Sequence, residues 1–481
     1  MRFQPAILNN NPTARRPVLQ ILDAALNAAD PFIAVTRALV LDGHRLAVGA
    51  KSYDLTAYNR IFVVGAGKAG APMAQAAEAV LGSRINAGLV VVKAGHGGAT
   101  TGVEIVEAAH PVPDTAGAAA GARILEIAEN AGSRDLVIAL ISGGGSALLT
   151  APALGVSLAD LRQMTDALLA CGATIGEINC LRKHCSRVKG GQLARAAAPA
   201  TLITLVLSDV VGSPLDVIAS GPTVPDAGTW ADAWAVVERY DLAEKLPPPI
   251  IGRIQAGLAS PGAAPGGQAP ADTPKPGDPI FAGSQTVIIG DNRLAALAAR
   301  QRAVELGYNA ALLTTFLEGE AQDAARLAVA LAREVKASSN PVQEPACLIL
   351  GGETTVTLKP NPGKGGRNQT IALAAGLLLD GLSPDERAGI TIAALATDGT
   401  DGPTDSAGGL ADGETVVRGR ARGLDAATHL RENNAYPFLA GIGDLLLSGP
   451  TRTNVNDLLF VFSGIPENCE ASYDEEEKSR S

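Results

Sequence analysis

A lysine stands inside a glycine-rich turn near the start of the chain. The segment Arg60-Ile-Phe-Val-Val-Gly-Ala-Gly-Lys-Ala-Gly-Ala-Pro72 indicates a buried strand, a turn and a helix that begins at its end. Gly65, Gly67 and Gly70 have the G-x-G-x-x-G spacing by which backbone amides approach a pyrophosphate at a helix N-terminus. A dinucleotide-binding turn does not require Lys68, so this cation predicts an anionic ligand whose charge it neutralises.

A second glycine-rich segment follows another predicted strand. Ile141-Ser-Gly-Gly-Gly-Ser146 can bind phosphate or carboxylate on its backbone amides, or it can be a tight structural turn. Three successive glycines cost more chain entropy than a simple turn needs, which favours ligand contact. The candidate binding residues are Gly143, Gly144, Gly145 and Ser146.

Four basic residues lie within about two helical turns in the segment after residue 179: Arg182, Lys183, Arg187 and Lys189. On an acidic chain this run predicts one wall of an anion-binding site, whereas the alternative is a solvated helix face. Asp209 follows the next predicted strand and can cap a helix or orient a ligand hydroxyl or a metal-bound water. The candidates from this region are Arg182, Lys183, Lys189 and Asp209.

Three further candidates follow predicted strands or begin a helix in the second half. Glu353 ends one strand, and Arg367 begins the helix that runs to Leu379. At that position the helix dipole, free amides and a guanidinium would converge on one anion. Asp398 follows the strand 390–397 and is the candidate for Mg²⁺ or a substrate hydroxyl.

The elements that must position these residues alternate between short apolar runs and helical stretches, which is typical of βαβ units. This pattern predicts an α/β fold with a Rossmann-like parallel sheet in the first domain and a second α/β domain. The predicted domains are 1–255 and 280–465, with a linker or loop rich in proline and glycine at 256–279 and a polar tail at 466–481. The predicted strands are 60–65, 87–93, 135–142, 201–208, 285–290, 310–314, 346–351, 390–397 and 457–463.

The composition limits the possible partners. The chain has 481 residues, of which 47% are hydrophobic, and a formal charge of −10. This charge argues against extended contact with nucleic acid or an acidic membrane surface. Five cysteines without paired spacing predict reduced thiols, and no signal peptide or membrane span is evident. We therefore expect a cytoplasmic protein with a small-molecule substrate, and the sequence leaves open whether it forms a homodimer.

Taken together, the motifs resemble the glycerate 2-kinase family, in order and from about residue 15 to 463. The resemblance implies two α/β domains with the active site in the cleft between them. It also implies that ATP, with Mg²⁺, phosphorylates D-glycerate at the 2-hydroxyl to give 2-phosphoglycerate. The motifs that carry it are Val64-Gly-Ala-Gly-Lys68, His110-Pro-Val-Pro-Asp114, Ser142-Gly-Gly-Gly-Ser146, Arg182-Lys-His184, Lys189-Gly-Gly191, Ser220-Gly-Pro-Thr223, Gly351-Gly-Glu353, Gly365-Gly-Arg-Asn-Gln369 and Thr397-Asp-Gly399.

The resemblance also implies roles for individual residues. Lys68 and Arg367 match the family's catalytic lysine and arginine, one from each domain. Glu353, Asp398 and Asn454 match further polar site positions of the family, and Asn368, in the recognised motif at 365–369, is a further candidate binding residue. One departure is Arg452, which stands where the family pattern has a glycine between two threonines.

Two other functions remain open. An NAD(P)H-dependent hydroxypyruvate reductase is one, because relatives of this family have carried that label. A dinucleotide site expects an acid about 20 residues after its glycines, but no Asp or Glu lies between Glu78 and Glu104; an NADP site would have only Lys93. A non-catalytic sensor of a sugar phosphate or nucleotide is the other, although it does not explain acids and an arginine at successive strand ends.

Overall fold

The computed structural model describes residues 2–260, 262–263 and 269–467. Within these ranges the strands are β1 (Leu39–Asp42), β2 (Arg45–Val48), β3 (Lys51–Asp54), β4 (Arg60–Ala66), β5 (Ile85–Lys93), β6 (Glu104–Ala108), β7 (Asp135–Ile141), β8 (Thr201–Leu207), β9 (Ser284–Gly290), β10 (Asn309–Leu317), β11 (Ala346–Gly352), β12 (Ile390–Ala396), β13 (Gly408–Asp412) and β14 (Asp457–Ser463).

The helices are α1 (Pro12–Ala28), α2 (Pro31–Ala38), α3 (Gly70–Leu81), α4 (Thr115–Glu129), α5 (Gly145–Leu148), α6 (Leu158–Ala170), α7 (Ile175–His184), α8 (Gln192–Ala197), α9 (Trp230–Arg239), α10 (Pro248–Ala259), α11 (Asn292–Glu305), α12 (Ala321–Ser338), α13 (Arg367–Asp380), α14 (Pro384–Arg387), α15 (Thr415–Ala421), α16 (Ala426–Arg431) and α17 (Ala435–Ile442). Short 3₁₀ helices lie at Pro5–Asn10, Leu55–Ala57, Gly82–Arg84, Ile218–Ser220 and Pro279–Phe281.

The described chain divides into two compact units. Unit 1 contains the residues up to Asp30 and those from Gly290 onward, and unit 2 contains Pro31–Ile289. This division differs from the predicted domains because the first 30 residues belong with the second half of the chain. One contact that joins the two segments is a buried ion pair, in which Arg15 Nη1 lies 2.7 Å from Asp444 Oδ1. No local sequence pattern reports a contact between residues so far apart.

The predicted linker and tail are only partly described. Helix α10 extends into the linker as far as Ala259, and Thr273 is buried with its hydroxyl 3.0 Å from Asp226 Oδ2. Residues 261, 264–268 and 468–481, which include most of the predicted tail and Cys469, lie outside the described residues. The cysteines in the described part, Cys171, Cys180, Cys185 and Cys347, are free thiols.

Unit 2 is built on a six-stranded sheet with the order β6-β5-β4-β7-β8-β9. The pairings from β6 through β8 are parallel, as predicted, and every residue of β7 is buried. Strand β9 is an edge strand of this sheet, although the sequence pattern suggested that it begins the second half. The short antiparallel sheet of β1, β2 and β3 was not predicted, because its strands are only four residues long and partly exposed.

Unit 1 has a mixed five-stranded sheet with the order β10-β11-β14-β12-β13. The βαβ pattern predicted parallel strands here too, but β14 lies between β11 and β12 and is antiparallel to both. Asp457, the first residue of β14, therefore pairs with Gly352 and Ala396, the last residues of β11 and β12. The start of β14 thus contributes side chains to the same sheet edge as the ends of its neighbours.

Both sheets are covered by apolar helices, which confirms the α/β class. In unit 1 the core includes α12 and α13 packed against β11, β12 and β14. In unit 2 the core joins β4, β5 and β7 to α4. No single helix among the described residues is long and apolar enough to cross a membrane, whereas α1 and α2 taken together as a bent pair meet the length and composition criteria.

Candidate functional site

The backbone amides of the turn after β4 bond within the protein. Lys68 N donates to the Gly143 carbonyl oxygen at 2.9 Å, and Ala69 N donates to Ser142 Oγ at 3.1 Å. Gly67 N donates to a carbonyl oxygen of β5 at 3.0 Å. These donors are therefore not directed at a ligand, and the group that the turn presents is the Lys68 side chain.

The glycines of this turn have a packing role. A Cβ atom at Gly65 would lie 2.2 Å from the Leu140 carbonyl oxygen, and one at Gly67 would lie 2.0 Å from Ser142 Oγ. At Gly70 it would lie 2.6 Å from a methyl carbon of β5. Side chains are excluded at all three positions, so the approach of β4 and α3 to their neighbours accounts for the G-x-G-x-x-G spacing.

The Lys68 side chain is surrounded by basic groups. Its ammonium has no hydrogen bond or ion pair with any described residue, and His96 Nδ1 lies 3.2 Å from the Lys68 carbonyl oxygen. Burial lowers the pKa of both His96 and His110, and the charges of Lys68 and Lys93 lower it further. The lowered pKa values favour the neutral form of both imidazoles, although Glu107 acts on His96 in the opposite direction.

The glycines after β7 approach the same lysine. Gly144 has φ +81°, and a Cβ there would lie 3.0 Å from His110 Cδ2 and 3.5 Å from Lys68 Cε. A Cβ at Gly143 would lie 2.1 Å from Asp209 Oδ2, so the Asp209 carboxylate packs against the Gly143 backbone. The structure thus brings together Lys68, Gly143, Gly144 and Asp209, which the sequence predicted separately.

Ser146 belongs to a chain of polar contacts beneath these glycines. Its Oγ lies 2.8 Å from Ser220 Oγ, which donates to Asn179 Oδ1 at 3.1 Å. Lys189 Nζ donates to the carbonyl oxygens of Ser146 at 2.6 Å and Leu149 at 2.8 Å. These contacts fix the short helix α5, which begins at Gly145.

The basic residues predicted to form one wall of an anion site lie in three different environments. Arg182 and Lys189 line one cavity of about 280 Å³, together with His110, Gly144 and Ser146. Lys183 points elsewhere, because its Nζ lies 3.0 Å from Asp226 Oδ1 and 3.5 Å from Asp216 Oδ2. Arg187 pairs with Glu129 at 3.1 Å on the surface. Lys183 is accordingly part of a buried ion pair apart from this cavity.

In unit 1, Arg367 is held by two carboxylates. Its Nη1 lies 2.8 Å from Glu353 Oε1, its Nη2 lies 3.2 Å from Asp457 Oδ1, and its Nε contacts Asp457 Oδ2. Burial opposes the charge of Arg367, but Asp457 and Glu353 raise its pKa above the ordinary value. Burial also raises the pKa of Asp457 to about 7, although Arg367 partly offsets that shift.

The N-terminus of α13 is occupied by a protein carboxylate. Asp401 is buried, and its oxygens accept from Asn368 N at 3.1 Å and Gln369 N at 2.7 Å. Asn368 Nδ2 also lies 3.3 Å from Asp401 Oδ1. The sequence predicted that these amides would bind a ligand anion together with Arg367. Asp401 occupies them instead, because a helix N-terminus stabilises any nearby negative charge.

Asp398 and Asn454 lie in the loops beside this cluster. Asp398 Oδ1 accepts from Thr400 N at 2.9 Å, and Asn454 Oδ1 accepts from Asn456 N at 3.0 Å. Asn456 Nδ2 in turn lies 3.3 Å from Glu353 Oε2. No group of three or more His, Cys, Asp or Glu residues suited to a metal occurs among the described residues.

Sequence reasoning did not place His110, Asp457 or Asn456 in the site. His110 opens one of the recognised motifs, so its position in that motif was an available signal. Asp457 is the first residue of a correctly predicted strand, but only the antiparallel direction of β14 brings it to Arg367. Arg452 is exposed and has φ +62°, a conformation in which glycine is unstrained.

The chain matches known families and proteins over most of its length. Residues 17–255 match a domain of unknown function (DUF4147), and residues 346–457 match the MOFRL family. Glycerate 2-kinase of Pyrococcus horikoshii is 40% identical over 443 residues, which cover 92% of this chain and 96% of that protein. A protein of Agrobacterium vitis provisionally named hydroxypyruvate reductase is 39% identical over 456 residues, covering 95% of this chain and 96% of its own.

A solved structure also resembles this one. The crystal structure of glycerate kinase from Thermotoga maritima has a TM-score of 0.81 and 39% identity, and the match covers 93% of this chain and 99% of that chain. Sequence and fold agree over nearly the whole length. The chain therefore belongs to the glycerate 2-kinase family.

Proposed function

We propose that this protein transfers the γ-phosphoryl group of ATP to the 2-hydroxyl of D-glycerate and releases 2-phosphoglycerate. Relatives named glycerate 2-kinase and glycerate kinase align over most of the chain. The observation that carries the proposal is the Lys68 ammonium, which has no described counter-ion and whose side chain lies beside Gly144. Such a site is suited to a ligand that brings its own negative charge.

Lys68 and Arg367 are the proposed catalytic residues. In phosphoryl transfer, negative charge spreads over the equatorial oxygens of the transferred group, and positioned cations stabilise it. Arg367 keeps its planar fork oriented through Asp457 and Glu353, which favours a fixed geometry over a mobile charge. The implication that both cations act on one phosphoryl group stays a prediction.

Mg²⁺ is the proposed metal, and its chemistry would be to bind the phosphates of ATP and offset their charge. Protein Mg²⁺ sites commonly use one or two carboxylates together with substrate phosphates. Asp398 fits that mode: Thr400 engages its Oδ1, and no described hydrogen bond engages its Oδ2. Asp398 would supply a carboxylate ligand to the ion.

We further infer that unit 2 is Rossmann-like. Its six strands have the order third, second, first, fourth, fifth and sixth along the chain, which is typical of doubly wound sheets. Ligands in such sheets bind where the order reverses, outside the carboxyl ends of the strands. That point lies between β4 and β7, where Lys68 and Gly143 meet.

A direct assay tests the function. Purified protein would be incubated with ATP, Mg²⁺ and D-glycerate, and phosphorus NMR would identify the product. We expect 2-phosphoglycerate and no 3-phosphoglycerate. A parallel reaction with hydroxypyruvate and NADH or NADPH should show no oxidation of the nicotinamide. Nicotinamide oxidation without phosphorylation would contradict the proposal.

The second candidate is the hydroxypyruvate reductase, which the name of the Agrobacterium vitis relative suggests. Two observations disfavour it. The amides of Lys68 and Ala69 already have partners in the protein, so a dinucleotide pyrophosphate would lack its usual donors. No acidic residue lies between Glu78 and Glu104 to bind a ribose.

A non-catalytic sensor would bind ATP without turnover in the same assay. The cytoplasmic location and the oligomeric state remain predictions.

A further inference from the structure

The cavity beside Lys189 extends beyond the groups assigned so far. It holds about 280 Å³, and one of its walls comes from Gly144, Ser146 and Ala147, directly after β7. The opposite wall comes from helix α6.

One part of the cavity is strongly basic. Arg182 is largely buried, burial lowers its pKa, and its guanidinium has no hydrogen bond or ion pair with a described residue. Lys189 is buried beside it, and burial and Arg182 lower the pKa of Lys189 to about 7. The only acid among the described lining residues is Asp166, which is exposed. A cation buried without a counter-ion is costly, so this part of the cavity is suited to an anionic ligand.

The rest of the cavity is apolar. Met164 is buried, Leu161 is partly buried, and Val112 and Leu169 are 55% and 60% exposed at the rim. D-glycerate is a three-carbon acid with a hydroxyl on each of its other carbons, and it would leave these apolar walls in contact with water. A ligand that joins a flat apolar group to several negative charges would satisfy both parts of the cavity.

We propose that this cavity binds the adenine nucleoside of the phosphate donor, with its phosphates extending past Arg182 and Gly144 toward Lys68. This inference rests on the proposed kinase function, because ATP is the substrate that combines an apolar ring system with a polyphosphate. It assigns the nucleotide subsite to unit 2 alone. The apolar walls of α6 and the Pro111–Pro113 segment contact the base.

The test distinguishes binding of the nucleoside from binding of the phosphates. Isothermal titration would measure the affinity of wild-type protein and variants for ADP, inorganic pyrophosphate and D-glycerate. Ala147→Trp would fill the cavity from α5, and Leu169→Ser would remove an apolar contact at its rim. Leu154→Ser is the matched control, because Leu154 is an 83% exposed leucine that does not line the cavity.

We expect Ala147→Trp to weaken ADP binding by at least about tenfold and Leu169→Ser by about three- to fivefold, with Leu154→Ser unchanged. Pyrophosphate and D-glycerate should bind all variants as they bind wild type, which also shows that the variants are folded. Unchanged ADP affinity in both cavity variants would overturn this inference alone. Loss of D-glycerate affinity with ADP binding retained would assign the cavity to the acceptor and overturn it as well. Wild-type protein that binds no ADP would overturn the kinase proposal too.

Discussion

The surroundings of the two proposed catalytic cations are opposite in charge. Lys68 in unit 2 is near Lys93 and two histidines whose pKa values are lowered by burial, and it has no described counter-ion. Arg367 in unit 1 contacts Glu353 and Asp457, with a third carboxylate, Asp401, at the start of its helix. Lys68 therefore depends on a ligand for its counter-charge, whereas Arg367 is already neutralised and oriented without one.

This difference predicts which substitutions affect activity alone and which also affect folding. Removing an unpaired cation leaves no buried anion behind. Removing one partner of a buried ion pair leaves the other charge without compensation, which lowers the free energy of unfolding much more. The comparison thus separates catalytic loss from structural loss at two residues that are expected to serve the same reaction.

The largest effect is expected for Lys68→Met. Loss of one cation that stabilises the transition state should lower kcat on the order of 10²-fold or more. The free energy of unfolding should stay within about 0.5 kcal/mol of wild type, because no ion pair is broken. Steady-state kinetics and urea denaturation measure the two quantities. A variant with near-normal kcat would remove Lys68 from the mechanism and would bring back the reductase interpretation.

Arg367→Met should lower both activity and stability. It leaves Asp457, which is 9% exposed, without its guanidinium partner. Breaking a fully buried pair costs about 3–5 kcal/mol; we expect about 1–3 kcal/mol, because Arg367 is 32% exposed and Asp457 can take up a proton.

The double variant Arg367→Met/Asp457→Asn is the control. It should recover most of the lost stability, since it removes the stranded carboxylate, but none of the activity. If the double variant is no more stable than Arg367→Met, the pairing with Asp457 does not account for the loss. Arg367→Lys should keep the charge and still lose kcat, because lysine lacks the planar fork.

The sequence predicted the local parts of both environments. All nine predicted strands are present within a few residues of the expected bounds, and Lys68 and Arg367 stand at the turn and helix start that their neighbours indicated. Strand ends and glycine turns are encoded within short windows, which explains this success.

The carboxylates around Arg367 could not be predicted in the same way. Asp457 lies 90 residues from Arg367 and meets it only because β14 runs antiparallel between two other strands. Asp401 caps α13 from a loop 32 residues away. Helix α1 contacts the rest of unit 1 through α11 and through the ion pair of Arg15 with Asp444, and these partners are still farther apart in sequence. Such contacts arise from the tertiary fold and have no local signature.

The substitution Arg452→Gly tests whether a second cation of unit 1, besides Arg367, contributes to catalysis or to substrate binding. Arg452 lies in the loop that leads into β14 and Asp457, and its positive φ is unfavourable for a residue with a Cβ. Glycine would relieve that strain, although its more flexible unfolded chain offsets part of the gain. We expect the free energy of unfolding to rise by about 0.5 kcal/mol and kcat to change by less than about twofold. A marked increase in KM for D-glycerate would show instead that Arg452 contacts the substrate.

The smallest expected effect is a proton linkage at the basic site. The pKa of His110 is lowered in the free protein, first by burial and then by Lys68, Lys93 and His96. Bound phosphates would favour the imidazolium and raise that pKa, so ADP binding near pH 6 should take up a fraction of a proton. By linkage, the ADP affinity of wild type relative to that of His110→Gln should increase by about two- to threefold as the pH falls from 7 to 6. Titrations in buffers of different ionisation enthalpy measure the proton uptake, and His110→Gln should reduce it.

The titration of the ADP phosphates is common to wild type and His110→Gln, so it cancels when their proton uptakes are subtracted. Equal uptake in the two proteins would mean that the phosphates do not approach His110, and that the charge around Lys68 is balanced by something other than this ligand.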